Sequence, residues 1–273
     1  MNLLANRLHF NGWLIPTLLV GLALWWITNK HIRISWLTWT IAIFLAIPGT
    51  AFVVYYLHVL DEWAFYYTFR TWPGTELSAA GMGVLAGHLQ QWGRKTKRIS
   101  NISIPCLLSF GLIIPHAKPI LYPLNYDRLQ NQPAPIASPQ HQSSGVSCGP
   151  ASMATILAQD GRLPMTEVQI AKHAFTYSRG TEVWYLGRLF NRLDYHVRYR
   201  VYHTLPTALH TPCIAGVDVG SFGHFIPIVR IEGDKYIVGD PLGTAFEAYT
   251  HEELLASYRF TGFFMELTAP IGP

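Results

Sequence analysis

The sequence predicts an all-α transmembrane region followed by an α+β domain. Half of the 273 residues are hydrophobic and only 13% are charged, and the long uncharged runs lie before residue 120. Beyond residue 142, helical patterns give way to short apolar runs bounded by turn residues, which are typical of strands. We therefore predict a transmembrane region at 1–120, a linker at 121–141 and a globular domain at 142–273 that is large enough to bury its own core.

Three N-terminal segments carry no Asp, Glu, Lys or Arg and predict membrane-spanning helices. Residues 10–28 and 34–60 are each long enough to cross a hydrocarbon layer of about 30 Å. Residues 99–117 form a third such stretch, in which Pro105 and Pro115 lie near the ends rather than mid-span. The first segment lacks a small-residue cleavage signal, which indicates a retained anchor.

A fourth segment, residues 77–93, is uncharged but short and polar towards its end. One interpretation is an interfacial or bundle-packed helix. However, Gly83 and Gly87 stand four residues apart, as small residues do where helices pack closely in lipid. We favour a fourth span.

The basic residues predict the orientation of these spans. Lys30 and Arg33 follow the first span, and a second cluster follows the span at 77–93, comprising Arg94, Lys95, Lys97 and Arg98. Basic loops remain in the cytoplasm, and four spans put both clusters on one side, whereas three would separate them. The N-terminus, the aromatic loop at 63–72 and the globular domain are then predicted outside the cytoplasm of a multi-pass membrane protein.

The linker at 121–141 is recognised by its composition, since it contains four prolines together with Gln, Asn and Ser residues. Proline-rich segments are semi-extended, so we expect the linker to hold the globular domain a modest distance from the bilayer.

The globular domain begins with a helix that carries a cysteine in its first turn. Cys148 follows Ser147, a candidate N-cap, and precedes Pro150, which suits a first helical turn. The backbone N–H groups at a helix start carry partial positive charge and favour a thiolate over a thiol. The sequence therefore predicts a nucleophile at this position.

The rest of the domain is predicted from apolar periodicity. After the first helix at 148–159 we expect helices near 166–175 and 182–193, and strands at 196–202, 213–219, 224–231, 235–240 and 262–268. The reactive cleft is expected between the first helix and the hairpin of the third and fourth strands.

This hairpin carries a histidine and a carboxylate. A three-residue turn centred on Gly233 would place Asp240 opposite Ile226, with His224 one diagonal step away on the same face. A two-residue turn would instead move one of them to the opposite face, because side chains alternate along a strand. We predict the three-residue turn.

These residues form an ordered set with a known counterpart. Gln142 six positions before Cys148, the pair Cys148-Gly149, the run Gly223-His224-Phe225 and the pair Asp240-Pro241 resemble the bacteriocin-processing cysteine peptidases, which are family 39 of the cysteine peptidases. The resemblance covers residues from about 136 to 268. It implies a papain-like α+β fold and cleavage of leader peptides after a Gly-Gly pair.

The resemblance also implies a role for each residue. Cys148 would attack the scissile carbonyl, and His224 would hold its proton and deliver it to the leaving amine. Asp240 would orient His224, while the Gln142 amide and the Cys148 N–H would face the oxyanion. No cofactor and no metal are needed.

Two departures from that family affect the expected substrate. The family commonly has an aspartate where this chain has Ser147, and its domains usually begin an ATP-driven exporter, whereas here the domain is C-terminal and no phosphate-binding loop occurs. The function predicted is a membrane-anchored cysteine endopeptidase. The alternatives are a leader-binding module that assists a separate exporter without cutting, and a transglutaminase-like acyl transferase.

The other predicted partners follow from composition. A peptide or protein substrate and the lipid bilayer are expected, while a net charge of +4 without a basic stripe gives no support for nucleic-acid binding. Cys106 and Cys213 lie in apolar runs and are expected to be structural, with no metal-ligand spacing. A Cys148–Cys213 disulfide stays open from the sequence and would silence the enzyme.

Overall fold

Helices occupy the N-terminal part of the chain and a mixed α+β arrangement occupies the rest. The structure, a computed structural model, describes residues 11–96, 103–161 and 165–269. In chain order the helices are α1 (Leu14–His31), α2 (Trp36–Tyr55), α3 (Ala64–Thr71), α4 (Met82–Thr96, entered through the 3₁₀ turn Thr75–Gly81), α5 (Ser103–Ile113), α6 (Ala117–Leu121), α7 (Cys148–Asp160), α8 (Glu167–His173), α9 (Val183–Arg192) and α10 (His251–Ser257). The strands are β1 (His196–Val201), β2 (Cys213–Val219), β3 (Phe222–Glu232), β4 (Lys235–Val238), β5 (Glu247–Tyr249) and β6 (Arg259–Thr268).

The contacts divide these elements into two units. The helical unit comprises Phe10–Asp61 and Trp72–Leu121, and the sheet unit comprises Glu62–Thr71 and Tyr122–Pro273 with the terminal residues outside the description. The α3 helix therefore belongs to the sheet unit, although it lies between two helices of the helical unit along the chain.

Each of the four predicted spans is mostly helical in the helical unit, although residues 56–60 of the second span form turns. Residue 10 of the first span and residues 99–102 of the span at 99–117 lie outside the described residues. Among the helices that the structure describes, Trp36–Tyr55 is the one long and apolar enough to cross a membrane by itself. The number of crossings thus stays a prediction.

The α1 and α4 helices pack closely through glycine. A Cβ added at Gly83 would clash with the carbonyl oxygen of Gly21, and one at Gly87 would lie 2.6 Å from Cβ of Thr28. One turn further on, the side-chain amide of Gln91 donates to the carbonyl oxygen of Thr28. The close packing predicted from Gly83 and Gly87 is confirmed, and the two helices run parallel.

The parallel arrangement brings the basic ends of α1 and α4 together. Arg94 donates a hydrogen bond to the side chain of Asn29, next to Lys30. The α2 helix runs the opposite way, since a Cβ at Gly81 would meet Leu45 while the rings of His88 and Trp39 are 5.3 Å apart.

The sheet unit is built on an antiparallel sheet of order β1-β6-β2-β3-β4-β5. The α7 helix packs on β3, and the hydroxyl of Ser152 donates to the carbonyl oxygen of Phe225 at 3.0 Å. A buried cluster that includes Val217, Ile226 and Phe264 forms the core with Leu254 of α10. The predicted α+β class is confirmed, and β5 is a strand that the sequence patterns missed.

The β3–β4 hairpin differs from the prediction near its turn. Glu232 pairs with Lys235, so the turn has two residues rather than three, and the three-residue turn was wrong. Between Ile228 and Arg230 a β-bulge adds one residue, Val229, to β3. Because the bulge changes the alignment by one residue, Ile228 pairs with Val238, which is the register that had been predicted for the far end of the hairpin.

The segment predicted as a linker is integrated into the sheet unit instead of standing apart from it. The buried Tyr126 donates from its hydroxyl to the carbonyl oxygen of Thr176 at 2.6 Å, and Leu129 is buried nearby. Pro133 forms an isolated bridge with Thr166, and the Gln140 N–H donates to Thr155 in α7. The composition signalled an irregular chain path, but backbone hydrogen bonds to α7 and α8 fix that path.

The α3 helix is held in the sheet unit by aromatic and cationic contacts. The ring of Tyr67 lies 5.1 Å from Phe263 and 5.8 Å from Tyr199. Arg70 is only 2% exposed, and its guanidinium carbon lies 4.4 Å from the centre of the Trp184 ring in α9. The aromatic loop predicted at 63–72 is therefore mostly a docked helix.

We expect the Arg188→Met substitution to weaken this docking. Arg188 donates from Nε and from Nη2 to the carbonyl oxygen of Arg70, at 3.0 and 2.6 Å, at the end of α3. Since hydrogen bonds from a charged group contribute about 2 kcal/mol each at buried sites, the unfolding temperature of the detergent-solubilised protein should fall by several degrees.

The matched control is Arg192→Met at the exposed end of the same helix. Thermal unfolding followed by tryptophan fluorescence should show little change for this control. Equal effects of the two substitutions would contradict a specific role for Arg188.

Candidate active site

Cys148 lies at the start of α7, where the sequence placed it. Its side chain is a free thiol and is 9% exposed. Ser147 occupies the N-cap position, but its hydroxyl makes no capping bond to the helix and pairs instead with the backbone of Ser144. The N–H groups of the first turn of α7 are therefore not occupied by the Ser147 side chain.

Gly149 explains how α7 can begin so close to its neighbours. A Cβ at this position would lie 3.0 Å from Leu186 in α9, 3.4 Å from Thr181 and 3.6 Å from the ring of Phe225. Phe225 is the residue after His224, so the absence of a side chain at Gly149 lets the start of α7 approach β3 next to His224.

His224 and Asp240 are in direct contact. Nε2 of His224 lies 2.8 Å from Oδ1 of Asp240, and the His224 side chain is almost fully buried. Cys148 is, with Asp240, one of the groups whose interactions raise the pKa of this imidazole. The three side chains that the sequence singled out in separate segments thus lie close enough to interact.

The electrostatics of this group favour a protonated histidine. Burial lowers the pKa of His224, but hydrogen bonds and charge interactions with Asp240 and Cys148 outweigh it and raise the pKa to about 9. For Asp240, burial raises the pKa, whereas the hydrogen bonds from His224, Leu242 and Tyr258 together hold it below its usual value. The geometry therefore stabilises an imidazolium beside a carboxylate.

Asp240 is anchored by more than the histidine. The Leu242 N–H donates to Oδ1 at 2.8 Å, and the Tyr258 hydroxyl donates to Oδ2 at 3.0 Å. The Gly243 N–H donates to the Asp240 carbonyl oxygen, so the residue opens a tight turn as well as contacting His224.

Gln142 is tied to both sides of the site. Its N–H donates to the carbonyl oxygen of Pro241 at 2.9 Å, and its side-chain Nε2 donates to the carbonyl oxygen of Ser144 at 3.0 Å. Its side chain is largely buried, and among the described residues its Oε1 has no hydrogen-bond partner. The loop that leads into α7 is thus attached to the Asp240-Pro241 segment.

Two residues of the site were missed by the sequence patterns. Tyr258 lies between α10 and β6, where no periodicity marks it, and it reaches Asp240 only through the fold. Ser152, one turn into α7, fixes the helix to the backbone next to His224. No local sequence pattern marks either residue as part of the site.

The structure also answers two questions that the sequence raised, about the other cysteines and about metal binding. Cys213 is fully buried in β2 and is a free thiol, so the Cys148–Cys213 disulfide that the sequence left open is not formed. The Cys106 side chain lies outside the described part of the chain. Within the described ranges, no cluster of three His, Cys, Asp or Glu side chains could hold a metal ion.

Comparison with known proteins gives one family match. Residues 137–269 match the Peptidase C39 family. No curated protein matches the chain in a sequence comparison.

The similar solved structures include the peptidase domain of Streptococcus ComA, a bi-functional ABC transporter of a quorum-sensing pathway, at 18% identity and a TM-score of 0.40 over 49% of this chain and 98% of that one. A double glycine motif protease from an AMS/PCAT transporter, in complex with the leader peptide, is 21% identical with a TM-score of 0.37 over 50% of this chain and 98% of that one.

The raised pKa of His224 predicts how stability depends on pH. Because the folded pKa of about 9 exceeds the reference value of 6.5, the folded state binds the proton more tightly, and the stabilisation is complete below pH 6.5 and lost as the pH rises through 9. The unfolding temperature should therefore fall between pH 7 and pH 10. In Asp240→Asn, which lacks the carboxylate, this fall should be smaller, and identical pH dependence in the two proteins would contradict the pairing.

Proposed function

We propose that this chain, whose residues 137–269 form a cysteine peptidase domain of the Peptidase C39 family, is a membrane-anchored endopeptidase acting through Cys148, His224 and Asp240. The observation that carries the proposal is a free thiol at a helix start that raises the pKa of a histidine, which is itself hydrogen-bonded to a carboxylate. A nucleophile, a base and an orienting acid in this relation are the parts that acyl transfer requires.

The proposed reaction follows from these positions. Cys148 attacks the scissile carbonyl as a thiolate while His224 holds the proton, a state favoured by the raised pKa of the imidazole. When the tetrahedral intermediate collapses, His224 donates that proton to the leaving amine and an acyl-enzyme remains. His224 then takes a proton from water, whose oxygen attacks the thioester, and the C–S bond breaks to release the second product and the Cys148 thiolate, with the proton left on His224 as at the start.

Gln142 and the Cys148 N–H are proposed to stabilise the oxyanion. The Gln142 Nε2 uses one of its two hydrogens on Ser144, which leaves the second free to donate to the substrate. The Cys148 N–H is at the start of α7, where helix geometry provides no intrahelical acceptor. One such donor commonly contributes about 3 kcal/mol to lowering the barrier.

The proposed substrate is a peptide with a leader segment, because the family whose model matches residues 137–269 acts on leader peptides. Ser147, at the N-cap of α7, is uncharged and makes no capping bond to the helix, whereas the family commonly has an acidic side chain at this position. We therefore propose a leader-type peptide as the substrate class without assigning Gly-Gly specificity. A separate exporter would be the partner that receives the product.

The helical unit is proposed to anchor the enzyme in a lipid bilayer as a multi-pass region at 1–120, with the peptidase domain at 142–273. Along α2, large apolar side chains face outwards, with Ile41 48%, Phe44 71% and Ile47 55% exposed. A soluble protein rarely exposes a continuous apolar face of this kind, whereas lipid tails would cover it.

Two observations support an orientation with the peptidase domain outside the cytoplasm. The basic ends of α1 and α4 lie together, and basic loops remain in the cytoplasm. The α3 helix, which follows α2, is part of the sheet unit, so the chain beyond α2 and the peptidase domain belong to the same compartment.

The Cys148→Ala substitution tests the activity. Membranes from cells that produce this variant should accumulate uncut precursors that the wild type processes, and a thiol-directed peptide electrophile should label the wild type but not the variant. Removing the nucleophile should lower cleavage at least about a thousandfold.

The matched control is Cys213→Ala, since Cys213 is fully buried and burial raises the pKa of its thiol. This variant should keep both labelling and processing. If neither labelling nor processing depends on Cys148, the peptidase proposal is wrong, and retained binding of leader peptides would favour a non-cleaving module.

Reporter fusions test the orientation. Fusions after His58 and at the C-terminus should both report an extracytoplasmic position, and a fusion after Thr96 should report a cytoplasmic one, as expected for basic ends that stay inside. If the fusion after His58 and the C-terminal fusion report opposite sides, the four-span arrangement is excluded. If all three report inverted positions, only the sidedness is wrong.

A further inference from the structure

Tyr258 contacts the one oxygen of Asp240 that the histidine leaves unused. The His224 imidazole and the Leu242 N–H both hydrogen-bond Oδ1, at 2.8 Å each. The Tyr258 hydroxyl donates to Oδ2 at 3.0 Å. The carboxylate is thus held at both oxygens, and rotation about its Cβ–Cγ bond would break the contact at each end.

The Tyr258 ring is itself fixed in place. The backbone N–H of Tyr258 donates to the carbonyl oxygen of Leu254 near the end of α10, at 3.0 Å. Its ring stands edge-on to that of Tyr249, with centroids 6.0 Å apart, and packs against the buried core cluster. The hydroxyl therefore meets Asp240 from a defined direction rather than from a mobile side chain.

The surroundings explain why the Oδ2 contact matters. A cavity of about 240 Å³ opens beside Asp240 and is lined also by Leu242, Glu247 and Tyr258. The Asp240 side chain keeps 20% of its surface exposed there. Water that enters this cavity would compete for Oδ2, whereas the Tyr258 hydroxyl donates to that oxygen from a fixed position.

We propose that Tyr258 is a positioning residue that acts through Asp240 on the orientation of His224, an inference that rests on the proposed peptidase function. The titratable groups that face this carboxylate are His224 on β3, Tyr258, and the pair Tyr249 and Glu247 on β5, where the Tyr249 hydroxyl donates to Glu247. Removing the Tyr258 hydroxyl takes a donor from the carboxylate, so Asp240 binds a proton at higher pH.

The test is Tyr258→Phe in the full chain, purified in detergent, with Tyr236→Phe as the matched control. The Tyr236 hydroxyl contacts His251 at 3.3 Å and makes no contact with Asp240. The first readout is the rate at which iodoacetamide alkylates Cys148, followed on the peptide that contains it between pH 4 and pH 10, and it needs no knowledge of the substrate. The second is cleavage of a processed precursor.

We expect the acidic limb of the alkylation profile to move to higher pH in Tyr258→Phe and to stay in place in Tyr236→Phe. The kcat for cleavage should fall about tenfold with KM unchanged, as the loss of a hydrogen bond to a charged group implies. In an Asp240→Asn background, adding Tyr258→Phe should change neither quantity further.

An alkylation profile of Tyr258→Phe that superimposes on the wild type, or an equal shift in Tyr236→Phe, would overturn the inference. Full additivity of Tyr258→Phe with Asp240→Asn would do the same, because it would mean that Tyr258 acts elsewhere. A shifted alkylation profile in a protein that cleaves nothing would leave the role of Tyr258 intact and remove the peptidase function instead.

Discussion

The contact between His224 and Asp240 depends on one extra residue in β3. The two-residue turn pairs Glu232 with Lys235, and an unbroken ladder from that turn would set Asp240 opposite Pro227 and His224 on the other face of the sheet. The bulge at Val229 removes this offset, so Ile228 pairs with Val238 and the Gly239 N–H donates to the carbonyl oxygen of Pro227. The contact of Asp240 with His224, which orients the imidazole in the proposed proton transfers, depends on that bulge.

The bulge also shows why part of the site was predictable and part was not. The identity of the pair followed from its residue types and order, and the register at Ile228 and Val238 agreed with the expected one. The turn length and the bulge that produce this register could not be predicted. The run from Ile226 to Val229 is buried throughout, so it has no alternation of buried and exposed residues in which an extra residue would be visible. The prediction placed one residue too many in the turn and missed the extra residue in β3, and these two errors cancelled.

Helices and strands were predicted best where an apolar run is bounded by capping or turn residues. The α7 and α9 helices and the strands β1 and β2 end within a residue or two of their expected limits, because their apolar positions are unambiguous. The three-residue β5 was missed, since its side chains are mostly exposed. Tyr258 and α3 were missed for another reason: their contacts join segments far apart in the chain, and Arg70 is buried only because Trp184 and Tyr66 surround its guanidinium.

In the proposed membrane arrangement, the path of the chain through the two units restricts the number of crossings. It leaves the sheet unit after Thr71 and returns to it at Tyr122, with Trp72–Leu121 in the helical unit between them. A segment that begins and ends in one folded unit on one side of a membrane crosses that membrane an even number of times. If residues 77–93 lay only at the membrane surface, α5 would be the one crossing helix between Thr71 and Tyr122, and these two residues would lie on opposite sides of the membrane. The α3 helix could then not contact Tyr199 and Phe263. In that proposed arrangement, the docking of α3 favours α4 as a crossing helix for a reason independent of its hydropathy.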